Sequence, residues 1–273
     1  MNIYFFKLAS FLYLFGSIAY LVYIIFLKEN LSKLALTIAS IGFASHTLAL
    51  ITRYAEAGHT PVTNLHESLS FFAWMMMGVL LIVNSKYKVK ILGAFITPIA
   101  LILMLFAFTL PREILPLAPV LRSFWHPFHV VFAFLGNAIF ALAFCCGVMY
   151  LIQEKQLKSK KLGAITKRLP PLKVLDDLNY QSLKFGFPLL TLGIITGAVW
   201  ANYAWGRYWD WDPKETWSLI TWLFYAALLH QRLTVGWRGR KAAIMAIVGF
   251  LAVLFTFLGV NLLLSGLHTY SNW

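Results

Sequence analysis

Long apolar runs separated by short polar stretches dominate the chain. Eight are visible: Ile3–Leu27, Leu34–Thr52, Leu69–Asn84, Ile91–Leu110, Phe128–Ile152, Phe185–Ala201, Ser218–His230 and Ala242–Leu264. Crossing a bilayer as a helix takes about 20 predominantly apolar residues; the third and seventh runs are short. The pattern predicts an all-α polytopic membrane protein with eight transmembrane helices, forming a single integral membrane domain over 1–273. The first run is too long for a signal peptide and lacks a small-residue cleavage site, so it reads as a retained span. No internal repeat supports an inverted-repeat transporter, and no glycine-rich phosphate loop is present.

Between the runs, the longest polar stretch is 153–184, where Pro170 and Pro171 stop any helix arriving from the fifth run. Its later part, VLDDLNYQSLKFGFP, predicts a short amphipathic helix on the inner membrane face. Pro111, Pro116, Pro119 and Pro127 punctuate 111–127, which reads as a structured, partly apolar cap.

Composition agrees: 60% of residues are hydrophobic and 12% charged, against about 25% charged in soluble domains. The net charge of +13 would suit nucleic acid, but its distribution argues against that partner. Four alternate loops, with Lys28 and Lys33, Lys86 to Lys90, Lys155 to Lys184 and Arg232 to Lys241, hold 17 of the 23 basic residues. They carry the whole net charge, while the opposite face has six basic and six acidic residues. This is the positive-inside pattern. It makes 153–184 a basic cytoplasmic loop and puts both termini outside, with loops 53–66, 111–127 and 200–217. Cys145 and Cys146 are adjacent within the fifth run and suit neither a disulfide nor a zinc site. They read as buried small hydrophobes.

The chemistry concentrates in WANYAWGRYWDWDPKETW, residues 200–217. Trp200, Trp205, Trp209, Trp211 and Trp217 share it with Tyr203, Tyr208, Arg207, Asp210, Asp212, Lys214 and Glu215. Interfacial anchoring accounts for scattered aromatics, but six of the ten tryptophans fall between Trp200 and Trp222. That density predicts a platform at the membrane surface for a large, flat, amphipathic ligand. His129, in SFWHPFHVV, and His268, in SGLHTYSNW, share its depth. Two imidazoles approaching from different helices suit a six-coordinate porphyrin iron, while either alone also suits an interfacial hydrogen bonder. His126 is the rival ligand at the first corner. His230 lies 13 residues beyond Trp217, roughly 20 Å along a helix. It marks either a second site nearer the inner face or a histidine bonded to a helix carbonyl. His46 is mid-span; His59, His66 and Glu67 form no dense ligand cluster.

The segment WGRYWDWDPKETWSLITWLFYAALLH resembles the tryptophan-rich WWD signature of a haem-handling family. That family includes CcsA (also called ResC), a cytochrome c synthase component, and its relatives CcmC and CcmF. DPKETW followed by His230 is most similar to the CcsA branch. HTLALITRYAEAGHTPVTNLHESLSFFAW and SFWHPFHVV resemble it too, so the likeness runs from about residue 40 to 273. The family's aromatic-aromatic-x-x-x-His pattern selects His129 over His126.

The resemblance implies a System II holocytochrome c synthase (haem lyase) component. It would bring haem b to the outer face for thioether attachment to CxxCH of an apocytochrome c. His129 and His268 would be the outer axial ligands, beside a WWD haem-binding loop at 200–217 with Trp200, Trp205, Trp209, Trp211, Asp212 and Trp217. His230 would belong to a lower haem site completed by a separate CcsB/ResB-type membrane protein. The implied location is a bacterial inner membrane, with a plastid thylakoid membrane as the alternative. CcmC-like haem delivery, or haem export without attachment, is the rival activity.

Overall fold

The computed structural model describes residues 1–160, 168–264 and 266, and no strand occurs among them. A bilayer supplies no water to unpaired N–H and C=O groups, so apolar runs of this length satisfy their backbones as helices. The long helices are α1 Asn2–Phe26, α2 Glu29–Ala57, α3 Leu65–Tyr87, α4 Gly93–Thr109, α5 Trp125–Lys158, α6 Leu172–Trp205, α7 Pro213–His230 and α8 Arg240–Leu254. The last continues through a π-helical turn, Phe255–Gly259, to Leu263.

Each predicted run falls within one of these helices or overlaps it closely. Seven are long and apolar enough to cross a membrane. The exception is α7, which has only 18 residues and opens with Lys214 and Glu215. The expected separate amphipathic helix after Pro171 is instead the first part of α6, continuous with the sixth run over 34 residues. Nothing between Lys173 and Lys184 breaks a helix, and Pro188 is accommodated inside α6. The loop expected over 200–217 is shorter as well: α6 continues to Trp205, and α7 begins at Pro213.

The helices group into two compact units: Met1–Pro116 with Lys155–Pro170, and Leu117–Glu154 with Pro171–Trp273. In the first, α1 and α2 form a tight hairpin closed by Leu27 in the left-handed conformation. Tyr13 packs over Gly42, where a Cβ would come within 2.9 Å of its ring. His46 is fully buried and bonded on both sides, to Tyr13 Oη at 3.2 Å and Ser70 Oγ at 2.9 Å. That identifies it as a structural histidine joining three helices. Cys145 and Cys146, in the second unit, are buried free thiols.

A buried ion pair closes one end of the first unit. Arg53 Nε donates to Glu67 Oε1 at 2.8 Å, and its other nitrogens donate to the carbonyls of Arg112 and Glu113. Glu67 Oε2 accepts from the amide and hydroxyl of Thr63, while Asn64 caps α3 by accepting the Glu67 amide. His66 Nδ1 donates to the Ala107 carbonyl at 2.7 Å. Removing one member of such a pair strands the other charge. Glu67→Ala should therefore cost about 3–5 kcal/mol, read as a lowered thermal unfolding midpoint in detergent. An unchanged midpoint would remove Arg53–Glu67 as the closure of this end.

Candidate functional site

In the second unit His126, His129, Trp200 and Trp205 meet where α5 contacts α6. Gly186, Gly193 and Gly197 on α6 and Gly136 on α5 let the helices approach closely. A Cβ on Gly193 would lie 3.0 Å from the Ala133 backbone, and one on Gly136 would lie 3.0 Å from Leu190 N. Small residues are a membrane helix pair's means of bringing backbones together.

This approach brings the first turns of α5 against the end of α6. His129 stacks on Trp200 with ring centroids 5.7 Å apart and planes at 21°. His126 meets the same indole at 5.1 Å and 54°, and Trp205 packs against it at 5.0 Å. Trp200 Nε1 donates to the Val120 carbonyl at 2.9 Å, anchoring the indole to the proline-rich segment. His129 Nδ1 donates to the Gly193 carbonyl at 2.7 Å. A neutral imidazole carries one N–H, so this bond leaves the Nε2 lone pair for another partner.

Beyond Trp205, Gly206 ends α6 in the left-handed conformation. Arg207 pairs with Asp210. Trp209 and Trp211 meet edge to face at 5.8 Å, with Trp211 also left-handed (φ 56°) and largely exposed. Asp212 then starts α7 with a capping box. Its carboxylate accepts the Lys214 amide at 3.0 Å, and Glu215 Oε2 accepts the amides of Asp210 and Asp212. Two orphan donors of the new helix are thereby satisfied, and Pro213 follows at the first helical position, where its missing N–H costs nothing. Lys214, ahead of the apolar run, donates to Asn261 Oδ1 at 3.4 Å. Burial pushes its ammonium down to about 8, although the Asp212 carboxylate pulls the other way.

The predicted residues thus form more than one cluster. Trp200 and Trp205 join both histidines, Trp209 and Trp211 pair in the loop, and Trp217 packs on Phe255 of the π turn at 4.4 Å. His268 lies outside the described residues. Gly266 runs so close to Asp212 that a Cβ there would sit 2.3 Å from Oδ1. His230 ends α7 as an exposed residue, immediately before the π-helical turn Gln231–Val235. Near it, Arg232 is locked to Asp176 by two side-chain bonds of 3.0 and 2.7 Å. Among the described residues no group of three or more His, Cys, Asp or Glu could hold a free metal ion.

The donors present fit a porphyrin. His129 is an imidazole stacked on the Trp200 indole, and Trp209 Nε1 is buried without a hydrogen-bond partner among the described residues. Gly193 and Gly197 escaped the sequence reading, although their G-x-x-x-G spacing is the signal that marks close helix approach.

Because Asp212 caps α7, Asp212→Ala should destabilise the chain by about 1 kcal/mol, whereas Asp212→Asn, also a good cap, should retain most of the stability. Equal losses by thermal unfolding would assign the effect to charge instead.

Comparison with known proteins identifies the family. The Cytochrome C assembly protein family matches residues 62–268. A cytochrome c biogenesis protein CcsA of Chlamydomonas reinhardtii is 43% identical over 253 residues, covering 89% of this chain and 70% of the relative. That of Pyropia yezoensis is 40% identical, with 93% of each covered, and one from Prochlorococcus marinus is 42% identical over 82% of this chain and 80% of its own. Among solved structures, a cytochrome c haem lyase CcmF superposes with a TM-score of 0.67 at 18% identity. That match includes 94% of this chain but only 46% of the CcmF chain, and at this identity it speaks for the fold. The chain, a multi-pass membrane protein by its helices, belongs to the cytochrome c assembly protein family, on its CcsA branch.

Proposed function

We propose that this chain is the haem-presenting component of a cytochrome c synthase. It works in cytochrome c maturation, bringing haem b to the outer membrane face and holding it for attachment to an apocytochrome. The observation that carries this reading is the His126–His129–Trp200–Trp205 cluster, with His129 Nδ1 committed to Gly193.

In this reading His129 ligates iron from one side and His268 from the other. The closeness of Gly266, two residues before His268 in the sequence, to Asp212 supports the second ligand. Trp200 and Trp205 wall the porphyrin, and Trp209 Nε1 and Arg207 are donors for its propionates. Asp212 acts through the helix it caps. The exposed His230 suits a lower haem site completed by a CcsB-type partner chain. The alternation of basic loops supports an outer location for the cluster.

The chemistry needs no nucleophile from this chain. Each CxxCH thiol adds across one haem vinyl group: a C–S and a C–H bond form, while the S–H bond and the C=C π bond break. The chain contributes positioning and iron ligation until the substrate histidine displaces one imidazole.

The test is co-expression with a CcsB-type partner and an exported CxxCH apocytochrome, in cells without another maturation system. Denaturing gels stained for haem should show covalent cytochrome with the wild type. The His129→Ala or His268→Ala chain should yield about 10-fold less or lower still, as expected when a ligand interaction is lost. Haem reaching the outer face without covalent cytochrome would favour delivery or export. Full attachment by both variants would remove the axial pair.

A further inference from the structure

At the end of the first unit away from Arg53 and Glu67, basic side chains surround a cavity of about 100 Å³. That is well beyond the 10–15 Å³ or so that a single water needs. Lys33 reaches it from the start of α2, Asn84 and Lys88 from the end of α3, and Lys90 from the 3₁₀ turn Lys90–Leu92 that follows. Tyr20 of α1 and Ser32 of α2 complete the polar lining.

Among the described residues one carboxylate answers these lysines. Lys90 Nζ donates to Glu29 Oε1 at 2.9 Å, and Lys33 Nζ lies 3.9 Å from the same oxygen. Lys88 has no carboxylate partner among the described residues. Three ammonium groups against one carboxylate leave a net of +2 around the cavity. The positive end of the α2 dipole adds to it, since α2 starts at Glu29 without a side-chain cap.

Two details mark a built site rather than scattered surface charge. Tyr20 is only 1% exposed and lines the cavity, yet its hydroxyl has no hydrogen-bond partner among the described residues. Lys88 caps α3 in the left-handed conformation, φ 54°, a place that Gly or Asn fills with less strain. The chain thus sets an ammonium group beside the cavity despite the backbone's preference.

We propose that this cavity binds the phosphate headgroup of an anionic phospholipid. Basic pockets between membrane helices recognise such headgroups, and here Lys33, Lys88 and the Tyr20 hydroxyl are the donors at hand. A lipid suits the surroundings better than a soluble anion does. Leu34 and Ile82, near Lys33 and Asn84 along α2 and α3, are 51% and 66% exposed, which gives acyl chains an apolar surface. The lysine-rich loop is also one of those that the positive-inside pattern assigns to the inner face. Bound there, the lipid ties α1 and α2 to α3 at the end opposite the Arg53–Glu67 pair.

The experiment is native mass spectrometry of the detergent-purified full chain titrated with phosphatidylglycerol, beside zwitterionic phosphatidylcholine. The wild type should retain one phosphatidylglycerol at concentrations where phosphatidylcholine does not bind. Lys33→Gln and Lys88→Gln should each weaken that binding roughly fivefold, as expected for one lysine at a charged membrane surface. Tyr20→Phe should weaken it too. Lys86→Gln makes the same charge change at an exposed lysine outside the cavity and should leave binding unchanged. In nanodiscs, phosphatidylglycerol should raise the thermal unfolding midpoint of the wild type but not of the Lys33→Gln/Lys88→Gln double variant. Equal affinity for the two lipids, an equal loss in Lys86→Gln, or full affinity in both Lys88→Gln and Tyr20→Phe would overturn the proposal. Displacement of the lipid by equimolar glycerol 1-phosphate would assign the cavity to a soluble anion and overturn it as well.

Discussion

Where α5 passes α6, glycines remove the side chains that would hold the two backbones apart. With Gly136, Gly193 and Gly197 at the crossing, the start of α5 lies directly on the end of α6. The rest of the site depends on that distance. It lets His129 reach a backbone carbonyl rather than a side chain, and it brings His126 and His129 to one indole. Between membrane helices there is little hydrophobic force to gain, because lipid tails are as apolar as leucine. Close van der Waals contact between small residues must hold them together. A methyl group added at the wrong glycine would therefore act on His129 through packing alone.

The loop after α6 follows a second constraint. Charged groups near apolar spans need partners, and here they find them locally. Arg207 takes Asp210, Asp212 caps α7, and Glu215 binds back to two loop amides. Asp212, which the family resemblance placed in a haem-binding loop, and its neighbours Asp210 and Glu215 are to this extent committed to building the loop. The indoles Trp209 and Trp211 are held on that frame, and Trp209 keeps a buried N–H without a partner among the described residues. Farther along α7 the same logic ties Arg232 to Asp176, while His230 stays exposed.

Much of this was legible beforehand because hydropathy reports which segments are helices in a membrane. All eight runs are helical, although α7 is short and charged at its start. Boundaries were less legible. Residues 172–184 are too polar to read as part of a span, yet they continue α6 without a break, since a helix ends where its hydrogen bonding ends and not where lipid does. The capping role of Asp212 was present in the sequence as Asp-Pro-Lys-Glu, a helix-start signal overshadowed by the tryptophans around it. The partner of His129 was beyond sequence reading, because a backbone carbonyl has no letter of its own. Only the Gly193–Gly197 spacing hinted at it.

In the proposed function, His129 holds haem iron at the tryptophan-rich end of the second unit. An absorption spectrum of the detergent-purified full chain, co-expressed with a CcsB-type chain, tests this most directly when recorded oxidised and dithionite-reduced beside His129→Ala. A bis-histidine haem b spectrum is expected in the wild type, strongly diminished in the variant and partly restored by added imidazole. Equal haem with identical spectra in both proteins would contradict it and move the ligand away from His129.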